Sequence, residues 1–236
     1  LQAVKEAMVD QDVILRNKDL NIVYSPMHGT GRVIIPEALR SWGFQNIHVV
    51  PEQMVIDGNF PTVESPNPEN PEGFYLAVDL AKKVGSDLIL GTDPDSDRVG
   101  VMVRGADGEY HTITGNQMGV LLLDYLCRRR SENGTMPARP VAVTTIVSTD
   151  MADAVAAHYG VELRRTLTGF KFIGEQIGEL ERAGETERYL FGFEESYGYL
   201  AGTYVRDKDA VVASMLICEM AAYYRTQGKS LDDVIT

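Results

Sequence analysis

The stretch Asp87-Leu-Ile-Leu-Gly-Thr-Asp-Pro-Asp-Ser-Asp-Arg-Val-Gly-Val-Met-Val103 decides the fold. Residues 87–90 and 99–103 are short apolar runs without polar alternation, as expected of strands buried on both faces. Between them Asp93, Asp95 and Asp97 alternate with non-acids, directly after the first strand. In open α/β sheets, ligands gather beyond the carboxyl ends of the strands. A turn at 106–108 leads into 109–113, which reads as the second arm of a hairpin.

Outward from this stretch, short strands alternate with helical periods. Strands are predicted over 20–24 and 46–50, with a helix over 32–42 that places Ile34, Ile35, Ala38, Leu39 and Trp42 near 3.6 spacing. The proline-rich segment 51–71 predicts a long loop, and 72–84 a helix. The pattern then repeats: helices over 116–129, 151–159, 170–182 and 208–224, and strands over 141–147, 161–166 and 188–193. Strand–helix alternation of this kind implies an α/β fold of two consecutive domains, with parallel sheets covered on both faces. The break falls within 104–114 and gives domains of 1–108 and 109–236.

The chain has 236 residues, 22 Lys plus Arg against 34 Asp plus Glu, and a net charge of −12. That balance argues against nucleic acid as a partner, because phosphate-backbone binding needs a basic face. It leaves room for a small anion in a locally basic cleft. No window approaches the length of a membrane span. Cys127 and Cys218 cannot make a disulfide framework and read as buried, reduced thiols. The N-terminal residues lack a signal-peptide pattern, so a cytoplasmic location is expected.

Three clustered carboxylates repel one another unless a cation lies among them. Hard oxygen donors at this density suit Mg²⁺ or Ca²⁺. An EF-hand does not fit, since Arg98 and Arg104 would stand where Gly and Glu are required. A solvated acidic turn is the competing reading; the position after a strand favours the metal. In Gly192-Phe-Glu-Glu-Ser-Tyr-Gly198, Glu194 and Ser196 offer groups able to hydrogen-bond sugar hydroxyls, although by residue type alone a solvent-facing turn is the simpler reading. Thr166-Leu-Thr-Gly-Phe-Lys171 leads from a strand into a helix, where Lys171 beside free N–H groups would suit an anion cradle, although by residue type alone a plain connection with a solvated Lys is the simpler reading. Ser25-Pro-Met-His-Gly-Thr-Gly31 carries His28, which as a lone histidine reads more simply as structural, and it lacks the ending of a P-loop.

In this order the loops at 25–31, 60–73, 91–98, 166–174 and 192–199 resemble those of the α-D-phosphohexomutases, the phosphoglucomutases and phosphomannomutases, along essentially the whole chain. Other branches of that family carry glycines where Pro94 and Ser96 stand here; the three carboxylates are kept. The resemblance implies four domains in the family, the first bearing a phosphorylated serine and the fourth a phosphate-binding loop. Neither motif occurs here, so the chain resembles domains 2 and 3 only, with mixed, mainly parallel sheets, and is expected to be inactive by itself. It also implies Mg²⁺ on Asp93, Asp95 and Asp97, Arg98 beside the phosphate, Lys171 lining the cleft, sugar hydroxyls on Glu194 and Ser196, and Lys208 and His28 approaching the substrate. The implied partners are glucose or mannose 1- and 6-phosphate and the domains missing from this chain. A phosphopentomutase of the same superfamily, or a stand-alone metal- or sugar-phosphate-binding module, are the alternatives.

Overall fold

A computed structural model describes residues 1–235. At its centre Leu88–Thr92 (β3) is buried along its whole length. Strand side chains alternate between faces, and β3 divides accordingly. Leu88 and Leu90 enter one hydrophobic cluster, and Ile89 enters another with Val23, Met27 and Phe74. This is the two-faced burial that the unbroken apolar run implies. Each such side chain contributes about 1.5–3 kcal/mol when fully buried.

The first sheet has the order β2-β1-β3-β4-β5, with β1 Ile22–Ser25, β2 Ile47–Val49, β4 Val99–Arg104 and β5 Tyr110–Ile113. β1 runs parallel to β2 and β3. β4 turns back on β3 in the register Leu90↔Val101, and β5 on β4. The second sheet has the order β7-β6-β8-β9, with β6 Val141–Thr145, β7 Glu162–Thr166, β8 Tyr189–Phe193 and β9 Tyr199–Leu200. β6 is parallel to both neighbours and β9 is antiparallel to β8. Both sheets are thus mixed, with the parallel pairs on one side and the antiparallel returns on the other.

The helices are α1 Gln2–Lys5, α2 Gln11–Arg16, α3 Gly31–Trp42, α4 Tyr75–Val84, α5 Gly115–Glu132, α6 Met151–Tyr159, α7 Phe170–Arg182, α8 Ala210–Thr226 and α9 Asp232–Ile235. No helix among the described residues is long and apolar enough to cross a membrane. Thr114 and Gln117 close a capping box on α5, and Asp209 caps α8 by accepting from Val211 N–H. α3 buries Ile35, Ala38, Leu39 and Trp42 but leaves Ile34 exposed, against the predicted face. The helix predicted over 72–84 opens as a 3₁₀ turn, Pro71–Phe74, before α4. The strand predicted over 141–147 stops at Thr145, and Ile146 and Val147 turn outward.

α8 is buried nearly all round, the pattern of a helix enclosed by protein. It packs against α2 and α3 from the first half and α5 from the second. One hydrophobic cluster therefore runs from Ile22 and Leu90 to Val143 and Phe191. Cys127 and Cys218 are buried free thiols within it.

Candidate active site

The acid loop begins where β3 ends. Asp93 is 1% exposed, and its Oδ1 accepts the backbone N–H groups of Asp97 (3.1 Å) and Arg98 (2.9 Å). Its Oδ2 accepts Nε–H of Arg98 at 2.8 Å. The carboxylate thus folds the loop around itself, with Ser96 in the left-handed region at φ 61°. Burial pushes Asp93 up to about 6, against its hydrogen bonds from Arg98, and repulsion from Asp97 adds to the rise. From the 25–31 loop, Thr30 N–H donates to Pro94 O at 2.8 Å. Gly29 lies so close that a Cβ there would sit 2.4 Å from Pro94 Cα, which explains a glycine at that point.

Arg98 is held from both sides. Besides Asp93, its Nη1 donates to Glu69 Oε1 (3.2 Å) and Asn67 Oδ1 (3.4 Å) in the proline-rich loop. Those two residues escaped the sequence reading, because a loop closing back over 29 residues leaves no local periodicity.

The second loop begins where β8 ends. Glu194 is 4% exposed, and its Oε1 accepts Gly169 N–H at 2.8 Å. Burial raises its pKa, opposed by that hydrogen bond and by the charge of Lys208. Gly169 reaches it with φ 119°, a conformation suited to glycine. Glu195 Oε2 accepts Thr145 Oγ1 (2.8 Å) and Ser148 Oγ (3.3 Å), pinning the loop to the end of β6.

The two loops are joined by main chain. Arg98 pairs with Gly198 in an isolated antiparallel bridge. Val99 N–H donates to Tyr197 O (3.2 Å) and Ala210 N–H to Ser96 O (3.3 Å). Lys208 Nζ completes the seam, 2.7 Å from Asp97 Oδ2. The result is an open cleft of about 350 Å³ in which Asp93, Asp95, Asp97 and Arg98 face Glu194, Ser196 and Lys208. Thr168, Gly169 and Phe170 line it as well.

Two residues singled out in the sequence are not brought into this cleft. Lys171 is exposed and lays its Nζ over the Phe172 ring at 4.9 Å. His28 is buried, with Nδ1 2.8 Å from Val55 O and Nε2 2.9 Å from Thr62 Oγ1. Both ring nitrogens are taken by the proline-rich loop, so His28 braces that loop.

The acid triplet fits a small hard cation. One oxygen from each of Asp93, Asp95 and Asp97 lies within 4.8 Å of the others. In an octahedral Mg²⁺ shell adjacent ligands stand about 3 Å apart and opposite ones about 4.2 Å, so the three side chains would draw together to share one coordination shell. All donors are carboxylate oxygens, with no soft ligand among them.

Residues 1–108 match the family described as phosphoglucomutase/phosphomannomutase, alpha/beta/alpha domain II, and residues 114–236 match alpha/beta/alpha domain III of the same family. The chain belongs to the phosphoglucomutase/phosphomannomutase family. A phosphoglucomutase of Staphylococcus haemolyticus is 40% identical over 217 residues, 92% of this chain and 38% of that protein. One from Staphylococcus aureus is 40% identical over 215 residues, with 91% and 38% covered. The chain spans about 38% of the length of these relatives. Among solved structures, the Paramecium phosphoglucomutase pp63/parafusin superposes with a TM-score of 0.69 at 20% identity, covering 99% of this chain and 39% of that one. An Aspergillus fumigatus N-acetylphosphoglucosamine mutase, solved with GlcNAc-6P and magnesium, gives 0.63 at 13%, covering 98% and 51%. In this phosphoglucomutase/phosphomannomutase chain, the acid loop lies in the domain II match and Glu194, Ser196 and Lys208 in the domain III match. The cleft is the seam between the two.

Proposed function

We propose that this chain is the central part, domains 1–108 and 109–236, of a Mg²⁺-dependent phosphohexomutase that moves a phosphoryl group between O1 and O6 of a hexose. The supporting observation is the Arg98–Gly198 bridge, which sets the acid loop and the Glu194–Ser196 loop across one cleft. Asp93, Asp95 and Asp97 would hold the ion, which when bound supplies Lewis-acid neutralisation of charge at a phosphoryl group. A phosphoserine from elsewhere in the whole protein would deliver the phosphoryl group.

The chain's own residues position and neutralise, which is most of what phosphoryl transfer asks of a protein. Arg98, fixed by Asp93, Glu69 and Asn67, presents its guanidinium at the edge of the acid loop. Glu194, oriented by Gly169 N–H, accepts from sugar hydroxyls, and the Ser196 hydroxyl can donate or accept. Lys208 adds a cation between the two loops. A mutase must bind its sugar in two orientations. The equatorial 3- and 4-hydroxyls of glucose look alike in both, and a short Glu-x-Ser loop suffices to read them.

The test is a coupled assay on the full-length protein with glucose 1-phosphate and mannose 1-phosphate. The expected result is Mg²⁺-dependent turnover that falls steeply in Glu194→Gln, with no sustained turnover by the 236-residue chain alone. Full-length protein inactive on both sugars, or sustained turnover by the isolated chain, would overturn the proposal.

A further inference from the structure

The three carboxylates of the acid loop are not equally engaged. Asp93 is bound by Arg98, Asp97 pairs with Lys208 at 2.7 Å, and Asp95 is exposed with no ion pair among the described residues. The two cations are held very differently. Arg98 belongs to the same loop and is tied down by Asp93, Glu69 and Asn67. Lys208 comes from the other half of the chain, and among the described residues its ammonium pairs with Asp97 and with its own neighbour Asp207, at 3.3 Å. An ammonium on a flexible stem exchanges partners more readily than a forked guanidinium.

Gly198 sets the path of that stem. A Cβ at Gly198 would lie 2.7 Å from Lys208 Cδ and 3.5 Å from Glu194 Oε2. Lys208 therefore crosses the backbone of the second loop at a point where no side chain intervenes. Its charge rests on Asp97, and its field at Glu194 favours the ionised form of that carboxylate.

We propose that Lys208 and a divalent cation compete for Asp97, so that ion binding on the acid loop releases the Lys208 ammonium to the anionic group of the ligand in the same cleft. This rests on the metal reading above. It makes Lys208 a positioning residue that couples the two loops: one side chain reports to the second half whether the acid loop carries its ion. Charge balance favours the exchange. A dication among three carboxylates repels an ammonium on one of them, while a phosphate arriving in the cleft attracts it.

The experiment is calorimetric titration of MgCl₂ into the 236-residue chain at low ionic strength, for wild type, Lys208→Met, Gly198→Ala and Asp95→Asn. Lys208→Met should bind Mg²⁺ roughly fivefold more tightly than wild type, the scale of losing one partly exposed ion pair. Gly198→Ala keeps the charge but pushes the stem aside, and should tighten binding in the same direction by a smaller factor. A ¹³C-methyl label on the Lys208 amine, followed by NMR, should shift as Mg²⁺ saturates wild type and stay still in Asp95→Asn. Equal or weaker Mg²⁺ affinity in Lys208→Met, or a Lys208 signal indifferent to Mg²⁺, overturns the competition alone. Absence of Mg²⁺ binding in every protein overturns the metal reading and this inference with it.

Discussion

Tyr125 donates its phenolic O–H to Glu219 Oε1 at 2.7 Å, joining α5 to α8 through a carboxylate with no solvent exposure. The same carboxylate accepts the backbone N–H groups of Val9 (3.2 Å) and Asp10 (3.0 Å), which tie the entry to α2 onto α8. Burial pushes Glu219 up to about 7, even against these three donors. An acid whose folded pKa lies above its unfolded value holds more protons in the native state between the two. The stability contributed by this group is complete below about 4.5 and declines as pH rises through about 7. Denaturant unfolding at pH 5 and pH 8 should show that decline in wild type, and Glu219→Gln should flatten it. Tyr125→Phe leaves the carboxylate one donor short and should cost about 1–3 kcal/mol.

Asp95 is exposed and makes no ion pair among the described residues, so removing its charge should leave the fold unchanged. Asp95→Asn is expected to keep the wild-type melting temperature within a degree or two, about 0.5 kcal/mol or less, while losing Mg²⁺ binding by calorimetry. Loss of binding with an unchanged melt separates a metal ligand from a structural acid.

Gly29 and Pro94 approach at backbone distance, and neither can move without shifting its loop. Gly29→Ala should therefore destabilise by about 1–3 kcal/mol, the usual range for overpacking. It should also weaken Mg²⁺ binding, because the acid loop must be displaced. Thermal unfolding and calorimetry on the same sample check both effects.

Glu194 and Ser196 differ in burial and in what their loss exposes. In the full-length protein, Glu194→Gln should lower kcat/KM for glucose 1-phosphate by about 100-fold, as expected for a lost charged hydrogen bond, and Ser196→Ala by about 10-fold. Steady-state kinetics on both variants, with unfolding curves alongside, tests the order.

Cys127 and Cys218 lie inside the shared core, and burial pushes the Cys127 thiol up to about 12 and raises that of Cys218 further. A thiol-specific reagent should titrate neither in the native protein and both in denaturant.

Much of this arrangement is legible along the chain because it is local. The unbroken apolar run before Asp93 requires a strand buried on two faces, and β3 shows Leu88 and Leu90 in one cluster with Ile89 in the other. Alternating acids after a strand put three carboxylates on one short loop, a geometry set by covalent spacing. Ile34 was misplaced because α3 presents Ile35 and Leu39 to the core instead, and a helix with apolar residues on adjacent positions does not declare which of them faces in. His28 was set near the substrate by the family resemblance alone; Val55 and Thr62, 27 and 34 residues away, occupy both its nitrogens, and partners that distant leave no trace in the local sequence.

By itself, the order of residues determined the α/β class, the strand-end loops and the carboxylates, since each follows from neighbours within a few positions. Only the folded chain decided that Arg98 should meet Gly198, that Lys208 should reach Asp97, and that Glu69 and Asn67 should hold Arg98. Those pairings depend on how α8 and the two sheets pack. That packing is a sum of many weak, long-range contacts which no local spacing encodes.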